Sequence, residues 1–511
     1  MNTIKRNMIA NFGGGIWTSL MGLVFVPLYI HFLGIEAYGL IGIFATLMAL
    51  FGLLDMGLSA TMNREIARLA VRDGNAQEMR DLVRTLEIPY WAVGLFVSVI
   101  VIVLSQFIAY HWVNAKSLSP KTVQTAIMIM GLAVVFQWPA GFYSGGLRGL
   151  QRQVLLNGIN IVMATFQGLG AVLILWLVSP TIEAFFSWQI VAGVIYIGLI
   201  AFFLWRSLPP AAGAPRFRRD LLLNIWRFAA GMTGITVLAT ILTQLDKVIL
   251  SRMLSLTMFG YYTLAGVVAM TLYRFIGPVL AATYPQLTTL VALGATEEIA
   301  RLYHKSAQLV SVLVLPAALV VALFSKEILL LWTQNPVTAD HTHVLVSILA
   351  TGTALNCILN IPYMLQLAFG WLRLGLIGNV VSVLLLVPLV IMLTKWYGAV
   401  GAASVWVILN VGYMFICVPI MHRRLLPTEK WRWYFEDVGR PLFAAVVVAV
   451  IGRCIIKSGW TTLPLLISLG MVSGLTLLAS ACAANQLDVV ARIKSFLTMI
   501  RIRFVRLKKI K

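Results

Sequence analysis

Apolar runs of roughly 20 residues follow one another along almost the whole chain, each closed by a short break rich in Gly, Pro, Asn, Arg or Lys. A run of that length crosses a bilayer as an α-helix. The breaks predict helices over 8–33, 38–60, 88–112, 122–146, 154–178, 184–205, 225–251, 258–282, 306–332, 343–369, 374–394, 400–421, 441–456 and 462–484. Span 441–456 is short and contains Arg453, which fits a tilted helix with a snorkelling arginine or an interfacial segment.

The pattern also repeats. Shifted by 221 positions, Arg6 falls on Arg227, Gly13 on Gly234, Leu33 on Leu254, Tyr38 on Phe259, Gly39 on Gly260, Gly149 on Gly370 and Arg152 on Arg373. After a three-residue deletion Trp188 meets Trp406 and Leu208 meets Leu426. The expected division is a first six-helix lobe over 1–208, a cytoplasmic linker over 209–224 and a second six-helix lobe over 225–427. Two additional transmembrane helices over 428–484 and a basic cytoplasmic tail over 485–511 complete it. Even helix numbers give both lobes the same orientation, hence parallel repeats. The expected fold is an all-α integral membrane protein of about fourteen transmembrane helices, two parallel repeats around a central cavity plus a C-terminal helix pair.

Composition agrees: of 511 residues 60% are hydrophobic and 11% charged, where a soluble chain carries about 25% charge. The formal net charge of +21 changes the picture only through its distribution. With the N-terminus inside, the predicted inner loops hold Arg64, Arg68, Arg72, Arg80 and Arg84, then Arg148 and Arg152, then Arg216, Arg218 and Arg219, then Arg423, Arg424 and Arg432. Such alternation follows the positive-inside rule and puts both termini in the cytoplasm. It suits contact with anionic membrane lipids and excludes a nucleic-acid footprint, which needs one basic face. Cys357, Cys417, Cys454 and Cys482 lie in apolar segments at no metal-ligand spacing, and neither metal nor cofactor is expected. No phosphate-cradling Gly-rich loop with its Lys and Ser/Thr occurs, so the chain is not expected to hydrolyse ATP.

Within the spans, Arg274 is the sharpest residue. It lies about two-thirds along 258–282, where a charge costs roughly 2.5–3.5 kcal/mol on insertion scales. It either snorkels or pairs with an acid, or it lines a wet cavity and receives an anionic group. Thr236, Thr240, Thr243 and Lys247 form one helical stripe, serving a cavity or a helix–helix seam. Gln153, Asn157, Asn160 and Gln167 on the fifth span, Asn356, Asn360, Tyr363 and Gln366 on the tenth, and Trp406, Asn410 and Tyr413 on the twelfth offer amides and rings. These suit sugar hydroxyls and C–H faces, and they suit bundle packing as well. Asp55 and Asp246 are candidate coupling-ion sites, although Asp55 also suits a loop arginine or local backbone. No pair among the histidines resembles a metal site.

Several stretches resemble the polysaccharide flippase family (Wzx-type, O-antigen and related exporters) of the multidrug/oligosaccharidyl-lipid/polysaccharide superfamily. They are 32–39 (FLGIEAYG), Asp55-Met56-Gly57-Leu58 with Asn63-Arg64-Glu65, Gly149-Leu150-Gln151-Arg152, Gln244-Leu245-Asp246-Lys247 with Phe259-Gly260-Tyr261-Tyr262, and 398–403 (GAVGAA). The resemblance implies a bacterial inner-membrane flippase turning an undecaprenyl-pyrophosphate-linked oligosaccharide outward by alternating access. The pyrophosphate would meet Arg274, with Lys247 or Arg227. A polysaccharide polymerase and a chain-length regulator are the implied protein partners, and a monomer is expected. Arg274 and the last helix pair are also similar to the peptidoglycan-precursor flippases, but Asn11 and Asp55 stand where those carry arginines on the first two helices. The alternatives are a multidrug exporter of the same superfamily, a membrane-embedded polysaccharide polymerase or ligase, and a non-catalytic scaffold for glycan assembly. The short predicted outer loops speak against the polymerase or ligase.

Overall fold

A bilayer offers no water to unpaired backbone groups, so an apolar chain satisfies them within helices. The computed structural model describes residues 3–71, 74–456 and 462–487, apart from the side chains of 3–5, 8, 224–236 and 239. It is all-helical apart from short turns and one isolated bridge. The chain divides into two compact units, Met1–Thr263 and Leu264–Lys511.

The first unit contains α1 (Thr3–Val24), α2 (Val26–Phe51), α3 (Leu58–Leu69), α4 (Ala76–Phe107), α5 (Pro120–Gln137), α6 (Ala140–Gly149), α7 (Gln153–Leu177), α8 (Ile182–Ser207) and α9 (Arg219–Met253), with the start of α10 (Leu256–Met270). Gly34, at φ 77° and ψ 164°, divides α2 where spans 8–33 and 38–60 were expected to part. Met56 and Gly57 are both left-handed and turn the chain into α3. α3 buries Leu58, Thr61, Met62, Ile66 and Leu69 on one face. It lies close on α6 because Gly145 and Gly149 carry no side chain. A Cβ at Gly145 would stand 2.4 Å from the Ser59 carbonyl, and one at Gly149 2.7 Å from that of Asn63. With Gly141, these glycines recur every four residues, the spacing that lets membrane helices approach.

The 221-residue shift has a counterpart in space. A Cβ at Gly39 would meet the Leu256 carbonyl at 2.6 Å, and a Cβ at Gly260 would meet the Ile35 carbonyl at 2.3 Å. Each contact is the other moved by the shift. Glu36 reaches Thr257, its own counterpart 221 positions on, at 3.4 Å. Gly42 lies against its counterpart Thr263. A local two-fold relation therefore passes through the pairs Glu36–Thr257 and Gly42–Thr263.

The connector after α8 lies along the start of α4. The Gln77 amide donates to the Ala214 carbonyl and accepts from the Gly213 N–H, both at 3.1 Å. Asp81 accepts the Arg216 N–H and Thr85 accepts the Arg218 N–H.

The second unit holds the rest of α10, then α11 (Tyr273–Leu293), α12 (Thr296–Leu323), α13 (Ser325–Thr333), α14 (Pro336–Ala368), α15 (Leu372–Gly412), α16 (Val418–Leu425), α17 (Lys430–Arg432), α18 (Arg440–Ile455) and α19 (Thr462–Ala483). α15 is two helices joined at Gly398, whose φ of 58° and ψ of −141° make the bend between the expected spans 374–394 and 400–421. Pro362 does not interrupt α14. Helix continues from Lys430 to Ile455, longer than the span 441–456 read from sequence. Arg453 is ion-paired with Glu327 at 2.6 Å and stands over the Phe324 ring, so its charge is balanced within the protein. α18 and α19 pack on each other and on α12. Val320, Phe324, Ile456, Leu465, Leu469 and Val472 form a core there, held by dispersion contacts, since lipid tails are as apolar as the helices.

Among the described residues eleven helices are long and apolar enough to cross a membrane, beside the shorter apolar helices Ile9–Val24 and Leu256–Met270. The 54-residue stretch Leu372–Leu425, which contains the bend at Gly398, is one of the eleven.

Candidate functional site

In the first unit the polar residues of α7 turn to neighbouring helices. The Asn157 amide donates to Asn11 at 2.6 Å and to the Gln153 carbonyl at 2.8 Å, while Asn11 donates to Gln153. Trp17 donates to Thr165. These bonds, one and two turns apart, run along the α1–α7 seam. On the other side Asn160 accepts from Tyr196, Gln167 donates to Gln189, and Trp188 donates to the Gln167 carbonyl, all across α7–α8.

Asp55 accepts from the Ser59 backbone and hydroxyl and from Tyr90, whose ring stacks on Trp138 at 4.3 Å. Its oxygen thus caps α3 after the left-handed turn. Glu36 accepts from the backbone N–H groups of Lys116, Ser117 and Leu118 as well as from Thr257. The sequence analysis gave it no role, although it lies within the 32–39 stretch that carries the family resemblance.

On α9, Lys247 donates to the Thr243 carbonyl and to Gln244, and Thr243 donates to the Thr240 carbonyl. Asp246 accepts from Tyr262 at 2.8 Å, while its second carboxylate oxygen is buried without a hydrogen-bond partner among the described residues. The side chains of Arg227 and Thr236 lie outside the described residues.

In the second unit the helix over the expected span 258–282 breaks at Thr271–Leu272, and α11 restarts beside Arg274. α11 packs with Ile276, Thr283 and Leu287 buried. Arg274 is about 200° round from Ile276, is exposed, and makes no hydrogen bond or ion pair among the described residues. Its neighbour Tyr273 donates to Asn356 at 2.6 Å, Asn356 donates to Asn410 at 2.7 Å, and Asn410 donates to the Trp406 carbonyl. Asn360 donates to the Asn356 carbonyl. Tyr363 lies beside Gly375, and Tyr413 donates to Asn379. Asn356 and Asn360 of the tenth predicted span and Asn410 of the twelfth thus meet in one polar ladder that starts next to Arg274. The indole N–H of Trp406 and the Gln366 side-chain oxygen are buried beside these helices without hydrogen-bond partners among the described residues.

A second polar cluster was not foreseen. His304, fully buried on α12, contacts Asp437 through Nδ1 at 2.5 Å and Glu429 through Nε2 at 2.9 Å. Glu429 lies between the helical stretches; burial raises its carboxyl, but hydrogen bonds to His304 and Arg432 outweigh this and hold it below the usual range. The spacing of His304 and Gln308 on one helical face was the clue in the sequence. Among the described residues no group of three His, Cys, Asp or Glu side chains is placed to hold a metal ion.

Comparisons complete the picture. Residues 4–291 match the family described as "Polysaccharide biosynthesis protein". A Shigella flexneri protein named "Putative O-antigen transporter" is 20% identical over 405 residues, covering 79% of this chain and 94% of its own. Among solved structures, a lipid II flippase MurJ in an inward closed conformation is similar at TM-score 0.70 and 12% identity, over 95% of this chain and 98% of that one. An inward-facing multidrug resistance MATE family transporter of the MOP superfamily is similar at TM-score 0.59 and 15% identity, over 82% and 96%.

Proposed function

The chain belongs to the polysaccharide biosynthesis protein family, and from that membership we propose that it is a flippase for a lipid-linked oligosaccharide. The protein is a multi-pass membrane protein whose family and relatives point to transport rather than catalysis. The proposed cargo is an undecaprenyl-pyrophosphate-linked repeat unit, carried from the inner to the outer leaflet of the bacterial cytoplasmic membrane with both termini inside.

The observation that carries the reading is Arg274, an exposed cation with unused hydrogen-bonding capacity beside the Tyr273–Asn356–Asn410 ladder. A guanidinium in low dielectric attracts a pyrophosphate through charge-assisted bonds, and its planar fork matches the oxygens. The adjacent hydroxyl and amides offer both donors and acceptors to a sugar. Lys247 and Arg227 are proposed as further cargo contacts, read from the sequence. The amides at Asn157 and Asn160 are already bonded within helix seams, which favours a packing role there.

Alternating access requires a closure that parts. In the proposed orientation the reciprocal glycine contact of Gly39 and Gly260, with the Glu36–Thr257 bond, lies at the outer membrane face and has to separate for release. Asp246, with one oxygen unpartnered among the described residues, is the stronger candidate for ion coupling; Asp55 is occupied by Ser59 and Tyr90. Anionic lipids, a polymerase and a chain-length regulator are proposed partners. The testing experiment reconstitutes the protein in vesicles with a fluorescent lipid-linked oligosaccharide and measures its accessibility to an external glycosidase. Transport by wild type and none by Arg274→Ala, with equal membrane insertion, supports the proposal; equal transport by both removes the role of Arg274.

A further inference from the structure

Both ring nitrogens of His304 face carboxylate oxygens, Asp437 Oδ2 on one side and Glu429 Oε2 on the other. A neutral imidazole has one N–H to donate and one lone pair, and a carboxylate only accepts. Two such contacts therefore require one proton more than a neutral imidazole flanked by two carboxylates carries. With that proton the cluster is balanced: His304 and Arg432 offset Asp437 and Glu429. Without it, a lone pair on a fully buried ring confronts an anion.

The surroundings show what the cluster holds. On α12, Gln308 donates to the other oxygen of Asp437 at 3.0 Å and accepts the backbone N–H of Gln486 at 2.8 Å. Asp437 and Glu429 stand just before α18, and Gln486 just after α19. One face of α12 thus grips the entry and the exit of the terminal helix pair. From α16, His422 bonds Tyr303 and the Val418 carbonyl, so its ring is engaged beside the cluster. Arg432 contacts Glu429 and Glu436. α19 carries no charged residue, and the charged residue of α14, Asp340, is paired with Lys326.

We infer that one proton, shared by His304 with Asp437 and Glu429, locks both ends of the terminal helix pair to α12, and that its loss releases them. The proton belongs to the cluster rather than to one residue. Its departure leaves a buried Asp437 and a partly exposed Glu429 against Arg432, and Gln308 loses the fixed carboxylate that orients it towards Gln486. The device couples pH to the attachment of two helices and does not depend on the cargo proposed above.

The test is hydrogen exchange on the full-length protein in lipid nanodiscs, read as protection factors at each pH so that base catalysis of exchange cancels. The reporters are peptides covering 429–439 and 484–487. In wild type, measured from neutrality up to about pH 10, protection is expected to hold at the neutral end and fall about tenfold or more as the pH is raised. His304→Gln is expected to abolish that fall and leave protection low throughout. Glu429→Gln removes one anion and moves the fall to lower pH; it decides the matter if His304→Gln does not fold. No fall in wild type, or an unmoved fall in Glu429→Gln, overturns the inference. Protection in a folded His304→Gln variant that matches wild type at every pH also overturns it.

Discussion

The amides of α7 and the start of α11 carry similar chemistry and meet opposite fates. Asn157 donates to α1, while Asn160 accepts from α8 and Gln167 donates to it, at 2.6–2.8 Å for the first two. At α11, Tyr273, Asn356 and Asn410 are bonded to one another, but the guanidinium beside them is bonded to nothing among the described residues. Polar residues in an apolar chain are thus not equivalent pointers to a ligand. What separates them is the hydrogen-bonding capacity left over once the helices are packed.

The largest effect is expected at that leftover cation. Arg274→Ala should lower transport about 100-fold or more in the vesicle assay, and Arg274→Lys should recover only part, because a point charge lacks the planar fork. Loss of transport equally severe in Asn157→Ala would break the distinction drawn here. Next in size is closure. Gly42→Cys with Thr263→Cys, in a background without the native cysteines, places two Cβ atoms close enough for a disulfide after a small adjustment. Oxidation should stop transport and reductant restore it; undiminished transport in the cross-linked protein would show that this contact does not open. Tyr273→Phe should slow transport by roughly 5- to 10-fold, the scale of one hydrogen bond. Asn157→Ala should leave the rate within about twofold while lowering stability by about 1 kcal/mol, measured by thermal unfolding in detergent.

The smallest expected effect concerns acid. Glu429 is held below its ordinary range, so its contribution is complete above the usual glutamate value of about 4.3 and is lost as pH falls through the depressed one. Attachment of the terminal pair, followed by exchange at 429–439, should therefore be steady from neutrality to about pH 5 and weaken below. Glu429→Gln should lack this acid weakening.

Much of the architecture was readable from the hydrophobic pattern, since each apolar run must become a helix in a bilayer. The repeat was readable too, and its shift reappears as the Gly39–Leu256 and Gly260–Ile35 contacts. Arg274 stood out because charge is costly at its position. What periodicity does not carry is the direction of a bond. It places Asn157 and Asn356 alike on polar stripes and cannot tell which stripe a neighbouring helix will consume. It also passes over contacts between distant segments, such as His304 with Asp437, 133 residues apart. Composition marks 209–224 as a linker but not its course, and Gln77, Asp81 and Thr85 hold its backbone along α4.

The pairing of Gly42 with Thr263, and of Glu36 with Thr257, has an evolutionary corollary. In two separate, identical chains, a residue on the symmetry axis meets itself, so one side-chain type must suit both sides. Joining the copies in one polypeptide lifts that constraint. A threonine can grow on one side because a glycine yields the space on the other, and a carboxylate can face a hydroxyl rather than a second carboxylate. At these two sites the contact is asymmetric in a way that no pair of identical subunits could adopt.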